Sequence, residues 1–199
     1  MEEGYIKFKA NWDKSPALPI RFMKQLNHWR DILYKLNLIG AYENGIGFGN
    51  ISQRFGKSDQ FIISGSATGN LATLTASHYS LVTDINIDQN KLKCSGPIMA
   101  SSESMSHGII YNECKDIHGV IHVHHKPLWL KLLHKVPTTN IKATYGTPQM
   151  AYEIIRLINE TDLLKMKIIV MEGHDEGILT FGNTLEEAGN IILKYFQNI

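Results

Sequence analysis

The segment of residues 117–125 reads IHGVIHVHH and sets histidines among branched apolar residues. Branched apolar runs favour β-strands, in which successive side chains point to opposite faces. His122 and His124 would then share one face of the strand, while Ile121 and Val123 face the other way. The segment therefore predicts a strand that presents two imidazoles close enough together to bind one ion.

Two imidazoles are only half of a metal site, so further ligand-type side chains are needed. Glu103, in SSESMSHGIIY, and His174, in VMEGHDEGILTFG, are the best candidates elsewhere in the chain. Three histidines and one carboxylate suit a divalent ion such as zinc, with a position left open for water or substrate. His107 would lie one helical turn from Glu103, as a partner or as a surface residue. Two half-buried histidines satisfied by hydrogen bonds are the alternative interpretation of the HxH pair.

The composition is that of an ordinary globular protein. The chain has 199 residues, 43% hydrophobic and 20% charged, which is enough for one well-buried core. No linker, repeat or low-complexity tract divides it, so we expect a single domain over residues 1–199. Twenty Lys and Arg against 19 Asp and Glu leave no basic surplus, which argues against a nucleic-acid partner. Any bound phosphate must be held by local donors.

No stretch of the sequence approaches the roughly 18 apolar residues of a membrane span. The N-terminus, MEEGYIKFK, lacks the apolar core of a secretion signal. Cys94 and Cys114 are the only cysteines and have no CxxC spacing, so a disulfide scaffold is not expected. These features predict a cytoplasmic protein without a membrane partner.

The first clear element is a helix over about residues 19–38. Its apolar residues recur at spacings of three and four, and Gly40 follows as a stop signal. His28 and Arg30 are expected on the wetter flank of this helix. The periodicity predicts that the opposite flank packs into a core.

Residues 51–95 change to short strand-like runs, FIIS, YSLVTDINI and KLKCS, separated by Gly, Asn and Asp. The link at 88–90, DQN, is short enough to join two antiparallel strands. Strands and helices alternate irregularly, which favours antiparallel pairing over a doubly wound parallel sheet. The sequence therefore predicts an α/β protein with a mainly antiparallel sheet.

Capping and strand signals predict the remaining elements. They are a helix at about 103–114 capped by Ser102, a helix at about 127–133, a helix opened by Thr147 and Pro148, strands at 167–171 and 177–181 joined by a turn at Gly173 and Gly177, and a last helix with a Thr184/Glu187 capping box.

A second group of small polar residues accompanies the metal candidates. Backbone N–H groups in Gly-rich turns and at a helix N-terminus can hold a phosphate without a basic side chain. Such residues also form turns and caps for backbone reasons alone, which is the alternative interpretation of each. The group consists of Asn50, Ser64, Ser66, Thr68, Gly69, Ser101 and Ser102.

Six short motifs follow one another along most of the chain. They are GNIS at 49–52, ISGSATG at 63–69, SSE at 101–103, HVH at 122–124, ATYGT at 143–147, and His174. In these motifs and in their order the chain resembles the class II aldolase/adducin family, which includes sugar-phosphate aldolases and epimerases.

The resemblance implies a three-layer α/β/α sandwich around a mainly antiparallel sheet, usually as a homotetramer with active sites at subunit interfaces. It also implies a divalent ion, most often Zn²⁺, with Mn²⁺, Co²⁺ or Fe²⁺ as alternatives. The implied metal ligands are Glu103, His122, His124 and His174. The implied phosphate pocket comprises Asn50, Ser101, Ser102, Gly69 and either Ser66 or Thr68 of the loop.

The implied reaction is carbon–carbon cleavage of a small phosphorylated ketose by a metal-dependent aldehyde-lyase, through a metal-stabilised enediolate. Glu103 would bind the resting ion, then leave it and carry a proton to or from the enediolate carbon. A sugar-phosphate epimerase and a methylthioribulose-1-phosphate dehydratase share this chemistry and are alternatives. A non-catalytic, adducin-like interaction module is the alternative of a different class.

The sequence departs from the aldolase pattern at two places. The stretch between His124 and His174 is shorter, and the missing part carries the aldolases' catalytic tyrosine, for which Tyr145 is a candidate substitute. After the last histidine, Asp175 and Glu176 stand where many relatives have glycine. They form either an added acid or base or a solvated turn.

Overall fold

The computed structural model of this chain describes residues 5–198 and is built around one large sheet. Its strands are β1 Lys9–Lys14, β2 Gly40–Ala41, β3 Gly47–Phe48, β4 Asn50–Arg54, β5 Phe61–Ser64, β6 Tyr79–Asn86, β7 Lys91–Gly96, β8 Gly119–His124, β9 Ile168–Val170 and β10 Gly177–Gly182. The pair β2 and β3 is separate. The other eight strands form one sheet in the order β1-β7-β6-β5-β4-β8-β10-β9.

Every strand pairing in the large sheet is antiparallel except that of β1 with β7. The hairpin between β6 and β7 closes with Asn90 at a positive φ of 47°. Asparagine tolerates this conformation better than most residues do. The predicted mainly antiparallel sheet and the predicted link at 88–90 are confirmed.

Helices cover both faces of the sheet. They are α1 Lys24–Lys35, α2 Ser104–Glu113, α3 Lys126–Leu132, α4 Pro148–Glu160, α5 Leu163–Met166 and α6 Leu185–Phe196. Side chains of α2, α4 and α5 pack into one hydrophobic core, and those of α1, α3 and α6 pack into a second. Each fully buried leucine-sized side chain contributes about 1.5–3 kcal/mol to folding. The predicted three-layer α/β/α arrangement is confirmed.

Strand β8 separates the two cores. Val120 belongs to the core beneath α2 and α4, whereas Ile121 and Val123 belong to the core beneath α1 and α6. Because side chains alternate along a strand, His122 and His124 face the same side as Val120. The prediction that the two histidines share one face is confirmed, and that face looks toward α2.

The first helix differs from its prediction. A 3₁₀ turn at Ile20–Met23 precedes α1, which ends at Lys35 instead of about residue 38. Asn37 ends the helix with a positive φ of 54°, while Gly40 lies in β2. The exposed position expected for Arg30 is wrong, since this side chain is 1% exposed. A loop at residues 68–72 covers it and accepts its hydrogen bonds, which helical periodicity alone does not reveal.

The predicted cap of α2 is also wrong by one residue. Glu103 occupies the N-cap position, and none of the side chains of residues 5–198 caps this helix end. The hydroxyl of Ser101 accepts a hydrogen bond from the backbone N–H of Glu103 at 3.4 Å. The serine pair therefore shapes the turn that delivers the Glu103 side chain.

The caps predicted for the later helices are present. The hydroxyl of Thr147 caps α4, and that of Thr184 caps α6 by accepting from Glu187 N. The Glu187 carboxylate accepts from the backbone N–H of Asn183. The predicted capping box is therefore present in a modified form, in which the Glu187 side chain bonds to the residue before the N-cap instead of to the N-cap residue itself.

Within residues 5–198, no helix has the length and apolar character needed to cross a membrane.

Candidate metal centre

Three elements bring the four candidate metal ligands to one place. Strand β8 carries His122 and His124, the turn between β9 and β10 carries His174, and the N-cap of α2 is Glu103. Each of the four side chains is at most 2% exposed. Glu103 and His174 lie far along the chain from the two β8 histidines, so only the fold brings them to that pair.

The three histidines converge on one point. One ligand atom from each of His122, His124 and His174 lies within 4.8 Å of the others. Nε2 of His122 and Nε2 of His124 are 3.0 Å apart. Two nitrogens that each lie about 2.1 Å from one ion, at bond angles near 90–110°, are separated by about 3.0–3.4 Å. The spacing fits shared coordination of an ion.

Hydrogen bonds fix the tautomers of the β8 histidines. Nδ1 of His122 lies 3.2 Å from the carbonyl oxygen of Ile178, so this nitrogen carries the proton and donates it. Nδ1 of His124 lies 2.8 Å from the hydroxyl of Tyr42, which donates its own proton to Glu176 at 2.9 Å. Both Nε2 atoms therefore direct lone pairs toward each other, which is the donor arrangement that a cation requires.

Burial and mutual proximity keep these imidazoles neutral. Burial holds the pKa of His122 well below its ordinary value, and the neighbouring imidazoles of His124 and His174 lower it further. The pKa of His124 is lowered in the same way, by burial and by His174. Neutral imidazole is the form that binds a divalent metal.

Glu103 adjoins the histidine cluster through His174. Its Oε1 lies 3.5 Å from Nδ1 of His174, and its Oε2 accepts a hydrogen bond from the hydroxyl of Ser106 at 2.9 Å. The carboxylate is thus held between Ser106 of α2 and His174 of the histidine cluster. One buried carboxylate beside three imidazoles suits a zinc-like ion.

The predicted turn that carries His174 is present between β9 and β10. Glu176, not a glycine, takes the left-handed conformation, with φ 67°. The glycines serve close packing instead. A Cβ at Gly173 would lie 2.1 Å from the carbonyl oxygen of Ala143, and one at Gly177 would lie 3.0 Å from Nδ1 of His174. Gly177 therefore leaves room for the imidazoles themselves.

The two acidic residues after His174 have different surroundings. Asp175 forms an ion pair with Lys126, as expected of a partly solvated turn. Glu176 instead accepts the hydroxyl proton of Tyr42 and so connects the turn to His124. Sequence reasoning missed Tyr42 entirely, because it lies outside the motifs and 82 residues from its histidine partner.

Two further side chains flank the cluster. The ring of Tyr145 stacks on His174, with centroids 4.6 Å apart, and its hydroxyl accepts from the backbone N–H of Tyr5 at 3.3 Å. His107 is fully buried, so its interpretation as a surface residue is wrong. Its Nδ1 lies 2.6 Å from the hydroxyl of Ser52, and burial lowers its pKa to about 3.

A small cavity lies beside the histidine cluster, and the residues of the implied phosphate pocket line it. Asn50 pairs across the sheet with His122, so the two groups share an edge. The amide of Asn50 is buried, and its Oδ1 has no hydrogen-bond partner among residues 5–198. The cavity is lined by Gly47, Phe48, Gly49, Asn50, Gly65, Ser66, Ala67, Thr68, Gly69, Ser101, Ser102, Glu103 and His122.

Several of these residues also have structural contacts. The hydroxyl of Ser64 accepts from the backbone N–H of Ile51, and Ser64 does not line the cavity. The hydroxyl of Thr68 donates to the carbonyl of Gly65 at 2.8 Å. A Cβ at Gly69 would lie 2.1 Å from the carbonyl oxygen of Gly40, so this glycine is also required for packing.

Comparisons with known proteins identify similar sequences and folds. Residues 43–195 match the family described as Class II Aldolase and Adducin N-terminal domain. L-fuculose 1-phosphate aldolase superposes with a TM-score of 0.68 at 19% identity, over 92% of this chain and 84% of that one. A sugar-phosphate aldolase from Thermotoga maritima gives a TM-score of 0.67 at 13% identity, over 88% and 90% of the two chains.

YgbL from Escherichia coli, a proposed aldolase/epimerase/decarboxylase, superposes with a TM-score of 0.63 at 14% identity, over 87% of this chain and 84% of that one. At these identities the structural likeness shows the fold alone. Among curated proteins, none matched the sequence.

Proposed function

This chain belongs to the class II aldolase and adducin family, and from that premise we propose that it is a metal-dependent aldehyde-lyase acting on a small phosphorylated ketose. One observation carries the proposal. The buried histidine cluster and the cavity lined by neutral hydrogen-bond donors share His122, and Glu103, 3.5 Å from His174, also lines the cavity. An ion and a phosphate bound in these places would hold the two ends of one small substrate.

His122, His124 and His174 would hold the ion, with Glu103 as a fourth ligand. We propose Zn²⁺ as the native ion, because neutral imidazoles and a carboxylate are its usual ligands in catalytic sites. When bound, the ion supplies Lewis acidity that stabilises negative charge developing on the substrate oxygens as the carbon–carbon bond breaks. The chain therefore needs no lysine Schiff base.

Glu103 would move the proton of the reaction. Its Oε2 is held by the hydroxyl of Ser106, and its side chain lies at the boundary between the histidines and the cavity. In cleavage, the substrate hydroxyl that becomes the aldehyde loses a proton and the enediolate carbon gains one. A carboxylate in this position can deliver the proton to that carbon, and in the reverse reaction it can remove it. The burial of Glu103, which is 2% exposed, would limit the access of water to that carbon.

The cavity would bind the substrate phosphate through neutral donors. Asn50 supplies an amide from β4, and the serines supply hydroxyls at the turn before α2. Backbone N–H groups of the loop add further donors. Among the described residues, no lysine or arginine lines this cavity. The phosphate residues proposed here are Asn50, Ser66, Thr68, Gly69, Ser101 and Ser102.

A homotetramer is the assembly that we propose on family grounds. In that arrangement the site lies at a subunit boundary, where a neighbouring copy can close over the substrate. Sedimentation equilibrium of the purified chain measures its mass in solution. A mass of four chains supports the assembly, and a mass of one chain contradicts it.

Aldehyde release tests the proposed reaction. The protein is treated with chelator, reconstituted with Zn²⁺ or Mn²⁺, and supplied with a panel of ketose 1-phosphates. We expect release of aldehyde and dihydroxyacetone phosphate by the reconstituted protein and none by the chelated protein. NMR of the same mixtures distinguishes the alternatives, because inversion at a carbon indicates an epimerase and loss of water indicates a dehydratase. No change in any substrate would favour a non-catalytic interaction module.

A further inference from the structure

Arg30 lies behind the loop that lines the proposed phosphate cavity. Its guanidinium is buried and donates to three backbone carbonyl oxygens of that loop and the segment after it. Nη2 donates to Thr68 and Gly69, each at 3.2 Å, and Nη1 donates to Ala72 at 2.9 Å. The guanidinium also lies over the ring of Tyr34, 4.4 Å from its centroid. One side chain of α1 thus bonds to the loop and the segment after it through three backbone carbonyl oxygens.

This buried charge has no acidic partner at ion-pair distance within residues 5–198, although the neighbouring Asp31 acts on it electrostatically. Buried charged side chains are ordinarily paired with a counter-charge, because leaving water is costly. Burial lowers the pKa of Arg30, yet a guanidinium stays charged at neutral pH. A positive charge is therefore kept next to a cavity whose lining, among the described residues, includes no lysine or arginine.

The hydrogen bonds to Arg30 also orient the loop. In a trans peptide the carbonyl and the N–H of the same unit point in opposite directions. Since the carbonyls of Thr68 and Gly69 point toward the guanidinium, the N–H groups of Gly69 and Asn70 point away from it. Ala67 adopts a left-handed conformation with φ 57°, which favours a concave set of N–H groups.

Backbone donors of this loop are available to a ligand. Among the described residues, the N–H groups of Ala67 and Gly69 donate to no acceptor of the protein. Both residues line the cavity. Unsatisfied N–H groups in a Gly-rich turn, with a cation behind them, form an arrangement suited to a phosphate dianion.

We propose that Arg30 is the positioning residue of the anion site, supplying its positive charge through the loop and turning the loop's N–H groups toward the phosphate of the substrate. The proposal rests on the proposed function, in that the anion is the substrate's phosphate. Arg30 does not touch that phosphate. It acts through the 67–69 loop.

Binding of inorganic phosphate to the metal-loaded protein tests the role of Arg30. Isothermal titration calorimetry compares the parent protein with Arg30→Gln, which removes the charge, and Arg30→Lys, which keeps it. Arg21→Gln, on the exposed side of the preceding 3₁₀ turn, is the matched control for lost charge. Circular dichroism establishes that each variant is folded at the titration temperature, and elemental analysis establishes its metal content.

We expect Arg30→Gln to weaken phosphate binding by at least about tenfold, since one charge in a buried setting interacts strongly with a dianion. Arg30→Lys should stay within a few-fold of the parent protein even though its melting temperature falls, because it loses the two-pronged hydrogen bonding. Arg21→Gln should bind phosphate normally, and all variants should keep their metal. If Arg30→Gln does not fold, Arg30→Lys decides alone, and a tenfold loss in that folded variant contradicts the charge role.

Other outcomes overturn the inference in different ways. Equal phosphate affinity in Arg30→Gln and the parent protein would show that the buried charge does not reach the site. Affinity that tracks melting temperature across both variants would show a purely structural role. Absence of phosphate binding by the parent protein would remove the anion site itself. Phosphate binding as expected, without cleavage of any ketose phosphate, would overturn the proposed reaction and leave the role of Arg30 standing.

Discussion

The hydroxyl oxygen of Tyr42 lies 2.8 Å from Nδ1 of His124, the ring nitrogen other than the one that approaches His122. The same hydroxyl lies 2.9 Å from Oε2 of Glu176, to which it donates. The carboxylate therefore fixes the tyrosine, and the tyrosine fixes the histidine tautomer. Second partners of this kind orient metal-binding histidines and increase their basicity.

Tyr42→Phe should weaken metal binding by about 10- to 100-fold, because the partner that orients His124 is lost while its ring packing is kept. Competition between the protein and a chromophoric chelator for Zn²⁺ measures the change. Tyr152→Phe, at an exposed tyrosine, is the matched control and should bind Zn²⁺ as the parent protein does. Unchanged Zn²⁺ affinity in Tyr42→Phe would show that the Tyr42 hydroxyl does not contribute to metal binding.

Glu103→Gln should reduce aldehyde release by about 10²- to 10⁴-fold, the usual contribution of a proton-transfer group. The amide can still accept from Ser106, so the fold should be retained. Glu113→Gln, at the exposed end of the same helix, should keep full activity. Thermal melts and activity assays on both variants make the comparison. Normal turnover by Glu103→Gln would exclude this carboxylate as the proton carrier.

The metal-free protein should lose stability as pH falls below about 6.5. The pKa of His107 is lowered by burial to about 3, so the unfolded chain binds a proton there before the folded protein does. The free energy of unfolding should therefore rise with pH between about 3 and 6.5, by about 1.4 kcal/mol per pH unit for this histidine. The free energy of unfolding in chelator, measured by urea titration across that range, reports the slope.

His107→Gln should lower the overall stability and make that slope shallower by about one proton. His118→Gln, at an exposed histidine, serves as the control and should keep the slope of the parent protein. A slope unaffected by His107→Gln would mean that this histidine does not titrate differently in the folded and unfolded chains.

Gly177→Ala should disturb the histidine cluster directly. The added Cβ would lie 3.0 Å from Nδ1 of His174 and 3.1 Å from Cε1 of His122, closer than ordinary contact. We expect a marked loss of Zn²⁺ affinity. Gly45→Ala strains the backbone at φ 81°, but its added Cβ meets no atom of residues 5–198 within 4 Å. It should cost about 1 kcal/mol of stability and leave Zn²⁺ binding intact. Equal Zn²⁺ affinity in both variants would argue against the tight packing of the imidazoles.

Local sequence patterns were sufficient to predict the parts of the fold that depend on a short repeat, a turn or a helix cap. The two-residue period of β8 placed His122 and His124 on one face, and the DQN link indicated a hairpin. The caps at Thr147 and Thr184 marked helix starts that the structure contains. Each of these signals acts over a few residues, where the backbone geometry is nearly independent of the rest of the chain.

Contacts between distant segments were not predictable in this way. Arg30 bonds to carbonyls about 40 residues away, and a polar residue at its helical position ordinarily faces water. Tyr42 reaches His124 across 82 residues. Gly173 is required because the carbonyl of Ala143 lies close to it, and the left-handed residue of the turn is Glu176. Tertiary packing decides such positions, and one sequence carries no local signal of it.

The metal content of protein purified without chelator tests the central claim most directly. Elemental mass spectrometry compares the parent protein with a His122→Ala/His124→Ala variant whose folding is established by circular dichroism. The account predicts about one divalent ion per chain in the parent protein and none in the variant. Equal metal content in the two proteins, or no ion in the parent even after incubation with Zn²⁺ or Mn²⁺, would contradict it.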